Sequence, residues 1–128
     1  MSLSLTEFSL RVEEPANSAN QKILVRRGSR MDIPIKLIKK DNTAYILTGF
    51  TVEMDARKED GTGLFGTNKV LTAVLLTSGQ VKLVLDGTFN FDSYPDEDYP
   101  THLRIMNGAT IVQEVAESFI FMIRPGTP

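Results

Sequence analysis

Cysteine is absent from the 128 residues. That removes disulfides, thiolate zinc sites and cysteine nucleophiles together. Positive charge is not in excess, since 14 Lys and Arg against 16 Asp and Glu leave a net charge of −2. No strong field gathers phosphates, so nucleic acid is not an expected partner. No apolar run approaches the roughly 20 residues that cross a bilayer, so no membrane partner is expected either. The start, MSLSLTEFSLRVEEP, lacks a basic flank followed by an unbroken apolar block and does not read as a secretion signal. The expectation is a soluble protein folded in the cytoplasm. Histidine occurs once, as His102, so histidine-based catalysis has one candidate.

What is present is ordinary for a globular chain: 41% hydrophobic and 23% charged residues. The length fits one domain that buries a core without staples. The clearest local pattern is residues 47–63, LTGFTVEMDARKEDGTG. A turn at Leu47-Thr48-Gly49 launches an alternating run, and Asp60-Gly61 ends it. Phe50, Val52, Met54 and Ala56 fall on one face, and Thr51, Glu53, Asp55 and Arg57 on the other. That is the period of a half-buried strand.

The same grammar recurs along the chain. Phe8, Leu10 and Val12 share a phase that Leu3 and Leu5 do not, so a slip near Thr6-Glu7 predicts a bulge or a flexible lead. Residues 1–20 are expected to be an N-terminal arm or a first strand, residues 21–124 a β-sandwich domain, and residues 125–128 a frayed end. Met31, Ile33, Ile35 and Leu37 alternate with polar positions. Pro34 in their midst cannot donate to a ladder, which predicts an edge or a bulge there. Residues 70–76 (VLTAVLL) read as a strand, and Val81, Leu83 and Leu85 share a face after Ser78-Gly79. Tyr99, Leu103 and Ile105 are in phase, Asn107-Gly108 is a strong hairpin signal, and Phe119, Phe121 and Ile123 close the pattern. About seven to nine short strands without an amphipathic helix predict an all-β, immunoglobulin-like antiparallel β-sandwich, with a small closed β-barrel as the alternative.

Candidate chemistry is sparse. His102 is in phase with outward-facing Arg104, and no G-x-S-x-G accompanies it. Asp86-Gly87-Thr88 faintly resembles an aspartic-peptidase signature in the wrong order, and a β-turn explains it. A small β-barrel hydrolase using Asp86 or His102 is therefore a second alternative. Residues 86–98 form an acidic, aromatic loop. Phe89, Phe91, Asp92, Tyr94 and Tyr99 could hold a sugar ring or a partner, giving a carbohydrate-binding module as the first alternative. The competing expectation is that the aromatics cap the core. Asp92, Asp96, Glu97 and Asp98 lack the ligand register of a calcium loop. Arg26, Arg27 and Arg30, with Lys39 and Lys40, could form a basic patch, but no phosphate loop exists. No catalytic residue, cofactor or metal is expected.

Short turn signatures supply the remaining pointer: Arg27-Gly28, residues 32–37, Leu47-Thr48-Gly49 with Val52, Asp60-Gly61, Gly79-Gln80-Val81, and Tyr94-Pro95 with Tyr99 before the closing strand to Ile123. In this order they resemble the immunoglobulin-like N-terminal domain of phage baseplate upper proteins and similar phage tail domains. Ser29 and Ile46 stand where that pattern carries Asp. The resemblance covers residues 22–124. It implies a non-enzymatic structural or adaptor component of a phage tail, baseplate or prophage particle. Its partners would be other virion or tail proteins and further copies of itself, after synthesis in the host cytoplasm. The arm at 1–20 and an edge near Pro34 are the expected contact elements.

Overall fold

The computed structural model describes residues 3–4, 7–14, 21–56 and 69–126. The expected loop at 15–20, the turn at 60–61, the glycines at 61, 63 and 66 and the last two residues lie outside the described residues. The strands are β1 (Leu3–Ser4), β2 (Phe8–Arg11), β3 (Gln21–Arg26), β4 (Met31–Ile38), β5 (Thr51–Ala56), β6 (Lys69–Val70), β7 (Thr72–Leu75), β8 (Gln80–Leu85), β9 (Asp98–Asn107), β10 (Thr110–Glu114) and β11 (Phe119–Arg124). Among the described residues a single 3-10 turn, Leu76–Ser78, interrupts them.

Two sheets pack into a sandwich, and no barrel closes. One sheet has the order β1-β4-β8-β7, with β2 also on β4. The other has the order β3-β11-β9-β5-β6, with β10 also on β9. The predicted alternation sets the core. Met31, Ile33, Ile35 and Leu37 of β4 are buried against Val81, Leu83 and Leu85 of β8 in register. Val52, Met54 and Ala56 of β5 and Phe119, Phe121 and Ile123 of β11 face them from the second sheet. Each of these side chains except Ala56 contributes about 1.5–3 kcal/mol of burial. Phe8 joins this layer edge-on against Phe119, with ring centroids 5.3 Å apart.

Pairing departs from the antiparallel expectation, because the sheets are mixed. β1 and β2 run parallel to β4, and β3 runs parallel to β11. Alternation assigns faces but not partners, so it is blind to strand direction. The expected edge at Pro34 is also corrected, since β4 lies between β8 and the β1–β2 pair. The Leu37 N–H donates toward β8, to Gly79 O at 2.8 Å. With a period of two, the position of Pro34 faces the other side. On that side Ser4 pairs with Asp32 and Phe8 with Ile35, so four steps on one strand meet three on the other. Thr6, part of the predicted slip, lies outside the described residues. The missing N–H of Pro34 faces this offset, between the two registered pairs.

Residues 70–76 form two short strands rather than one. β6 pairs with β5 and β7 pairs with β8, so the chain changes sheet at Leu71. Leu71 is buried, and its N–H donates to Val52 O at 2.8 Å. Corners of this kind join the two layers of a sandwich.

Candidate functional site

The aromatic loop packs inward. Phe91 and Tyr99 are buried, at 1% and 0% exposure, and Phe89 is nearly so. The Phe91 and Tyr99 rings stack with centroids 6.1 Å apart, and Phe91 also meets Phe121 at 4.8 Å. Tyr94 is half-buried and packs edge-on against both Phe91 and Tyr99. The Tyr99 hydroxyl donates to Pro95 O at 2.9 Å, and burial, helped by Glu97, pushes its pKa up. The flat faces of Phe91 and Tyr99 are turned toward one another, and Lys69 Nζ lies 5.0 Å from the centroid of the Phe89 ring.

The acidic loop and the basic turn, far apart in sequence, are each other's partners. Arg30 binds Asp92 through both guanidinium nitrogens, at 3.2 and 2.8 Å. The Gly28 N–H donates to the same carboxylate at 3.0 Å. These two donors hold the Asp92 pKa below its ordinary value, the Arg30 bond first. Arg27 pairs with Asp96 and also donates to Tyr94 O, and Arg124 pairs with Asp98 at 3.0 Å. Solvent screens such exposed pairs, so they orient the loop more than they stabilise it. Together they tie the loop to the basic turn and to β11, over the aromatic cluster.

The two candidates for hydrolysis are placed as follows. Asp86 closes a turn, accepting the N–H groups of Phe89 and Thr88 and the Thr88 hydroxyl, at 2.8–3.0 Å. These bonds lower its pKa to about 2, the Phe89 N–H contributing most. A carboxylate so stabilised does not trade protons near neutrality. Because its folded pKa lies below the unfolded value, its contribution to stability is present above about pH 4 and is lost as pH falls toward 2. Thermal melts should therefore show a steeper loss of midpoint from pH 4 to pH 2 in the native chain than in Asp86→Asn. Equal slopes would show that the turn carries no such linkage. His102 lies on β9 opposite Asp55, with Nε2 3.3 Å from Glu114 Oε1. Among the described residues no group of three or more His, Cys, Asp or Glu side chains is disposed to hold a metal.

Arg104 was assigned to the polar phase, yet it is 8% exposed. It lies opposite Glu53 on β5 and binds Asp55 at 2.8 and 3.2 Å. The bond to Asp55 raises its pKa first, against desolvation. A buried cation with excellent partners is strongly destabilised by loss of either one. It braces the outer face of the second sheet.

The exposed large apolar residues lie mostly on strands, Leu24 of β3 and Val70 of β6 among them. Val74 and Leu75 on β7 are 55% and 49% exposed, and Ile111 and Val112 on β10 are 50% and 42% exposed. Among the described residues no strand pairs with the outer edge of β7 or of β10. Both strands are bulged, between Ala73 and Leu75 and between Ile111 and Gln113. Ile46 stands exposed near β7, where the Leu47 N–H donates to Leu76 O, beside an open depression lined by Lys39, Tyr45, Ile46 and Phe50. The legible signal was a broken alternation: two adjacent apolar residues on a strand cannot both face the core.

No family model matches the sequence. No curated protein matches it either. Among solved structures 12 chains match. One is the N-terminal domain of phage TP901-1 ORF48, at a TM-score of 0.67 and 9% identity, covering 95% of this chain and 99% of that one. The chain has the fold of a phage protein domain. The likeness spans nearly the whole of both chains. At this identity it carries the architecture and not the chemistry of any side chain.

Proposed function

We propose that this protein is a non-enzymatic structural or adaptor module of a phage tail, baseplate or prophage particle, acting through contacts with other virion proteins. The observation that carries this reading is the near end-to-end match to a phage N-terminal domain. It agrees in kind with the turn signatures, which resemble the N-terminal domains of baseplate upper proteins. The side chains are consistent with it. Most of the charged and aromatic groups that suggested ligands are used inside the fold, and the exposed large apolar residues lie mostly on edge strands, which recruit other chains.

Quantitative mass spectrometry of purified particles from a producing strain tests the proposal. The chain is expected at a fixed, small integer ratio to a known tail protein, and at the same ratio after washing in high salt. A chain found in the soluble fraction and absent from washed particles would overturn it.

A further inference from the structure

Exposed apolar residues sit on β3, β6, β7 and β10, so exposure does not choose among these edges. Free backbone groups do. The Leu37 N–H reaches Gly79 O, so odd residues of β8 face β4 and even ones face β7. Thr72 and Leu75, opposite Lys82 and Gln80, are thereby spent on β8, and only Ala73 points out ahead of the bulge. On β10, the Val115 N–H donates to Leu103 O, which leaves Ile111 and Glu114 pointing out on either side of a bulge. On β6 only Val70 points out, because the Leu71 N–H donates to Val52 O. On β2, Arg11 is spent on Glu117, which leaves Ser9. β3 is different. The Arg27 N–H donates to Arg124 O, so residues 21, 23 and 25 face β11, while Lys22, Leu24 and Arg26 face away. Arg26 O accepts the Ser29 N–H. The N–H of all three residues and the C=O of Lys22 and Leu24 remain without a partner among the described residues, in one unbulged row.

The side chains of this row select its occupant. Lys22 and Arg26 are exposed and flank Leu24 on the outer face of the sheet. Neither makes an ion pair among the described residues, and Arg26 reaches only Pro125 O. Met122 of β11 lies beside Leu24, and Ile120 beside Lys22. On the inner face Ile23 and Val25 are buried at the rim of the core. We propose that the outer edge of β3 takes up one extended segment of a partner protein. Acidic residues of that segment lie opposite Lys22 and Arg26, and apolar residues lie between them, one by Leu24 and two by Ile23 and Val25. The pattern reads the same in both directions, so it suits a parallel or an antiparallel addition. Main-chain bonds supply the affinity of such an added strand, and alternate side chains its selectivity.

The same edge of a second copy does not meet this requirement. In an antiparallel β3–β3 pair, only registers that set even residues against even ones bring free groups to free groups. Leu24 facing Leu24 then sets Lys22 opposite Arg26 twice, and like charges directly opposite are destabilising. A shift by two residues avoids that facing but still gathers four cations on one short ladder that holds no carboxylate. A parallel pair joins the outer face of one copy to the inner face of the other. Charged residues on an edge guard it against unwanted pairing. Here they repel like copies and select an acidic strand, so repulsion and attraction both serve specificity.

The probe is the peptide Thr-Glu-Val-Ile-Val-Glu-Thr at millimolar concentration, and the readout is amide hydrogen exchange of the native chain followed by NMR. The Lys22, Leu24 and Arg26 amides should slow several-fold. The Ile23 and Val25 amides, which already face β11, should not change. The control, Thr-Val-Glu-Ile-Glu-Val-Thr, has the same composition with its acids closer together, so they cannot face both cations, and it should protect far less. Lys22→Glu combined with Arg26→Glu alters only exposed positions, so unchanged melts are expected. That variant should lose protection by the first peptide and regain it with Thr-Lys-Val-Ile-Val-Lys-Thr. No protection by the first peptide, or equal protection by the control, would overturn the proposal. Protection of the same amides by raising the concentration of the chain alone would overturn it too, by making a second copy the occupant. The inference rests on reading the chain as an assembly module, but the two fail separately. A chain whose edge stays unprotected yet remains in washed particles loses only this added strand.

Discussion

Gly79→Ala is expected to destabilise the fold by about 3 kcal/mol, lowering the thermal midpoint by roughly 10 °C. Gly79 follows the 3-10 turn with φ +68°, a left-handed conformation that costs an L residue about 1–2 kcal/mol. Space is the second cost. A Cβ here would lie 2.5 Å from Leu37 O and 2.8 Å from Tyr45 O. Neither oxygen belongs to a flexible side chain. Leu37 O already accepts the Tyr45 N–H at 3.0 Å, and the Leu37 N–H donates to Gly79 O at 2.8 Å. Relief must move the β4–β8 ladder itself, and overpacking of this kind adds about 1–3 kcal/mol. Gly108→Ala is the control, since at φ +62° it meets open space and bears only the conformational cost. Differential scanning calorimetry of the two variants separates the terms. Equal midpoints would show that the close approach at Gly79 does not matter.

Phe91→Ala should cost about 3–5 kcal/mol, enough to leave a small domain marginal. Its ring stacks on Tyr99 and contacts Phe89, Tyr94 and Phe121, with centroids between 4.8 and 6.4 Å. Truncation opens a cavity at the junction of the acidic loop and β11, where little can collapse to fill it. Tyr94→Ala, at a half-buried position, should cost less than half as much by urea denaturation. The comparison also bears on carbohydrate binding. A glycan array that the native chain binds and a stable Tyr94→Ala chain does not would favour a sugar site. Stability loss ordered Phe91 over Tyr94, with no glycan bound, favours a packed loop.

The core was legible in the sequence because strand side chains alternate strictly, and four runs kept that period: β4, β5, β8 and β11. The turns were legible for the same local reason. Leu47-Thr48-Gly49 closes through a Phe50 N–H to Leu47 O bond of 2.9 Å, with Gly49 at φ +85°. What local pattern does not carry is partnership. The parallel pairings, the place of Pro34 between β8 and the β1–β2 pair and the change of sheet at Leu71 all depend on which distant strand lies alongside. The same limit explains the charges. Arg27 and Arg30 looked like one site and Asp92 and Asp96 like another, because nothing in either run announces the other. Arg104 was hidden by the reverse effect: its phase was read correctly as outward, but Glu53, Asp55 and the neighbouring strands enclose it there. The edges were legible only as irregularities, Val74-Leu75 and Ile111-Val112, where alternation lapses.

The central claim is that this sandwich is a building block of a phage particle. Imaging assembled particles with an electron-dense label on the exposed Asn107–Gly108 hairpin tests it most directly. The account predicts label at the tail tip or baseplate, repeated with the symmetry of that structure. Label on the head, or on no part of the particle, would contradict it.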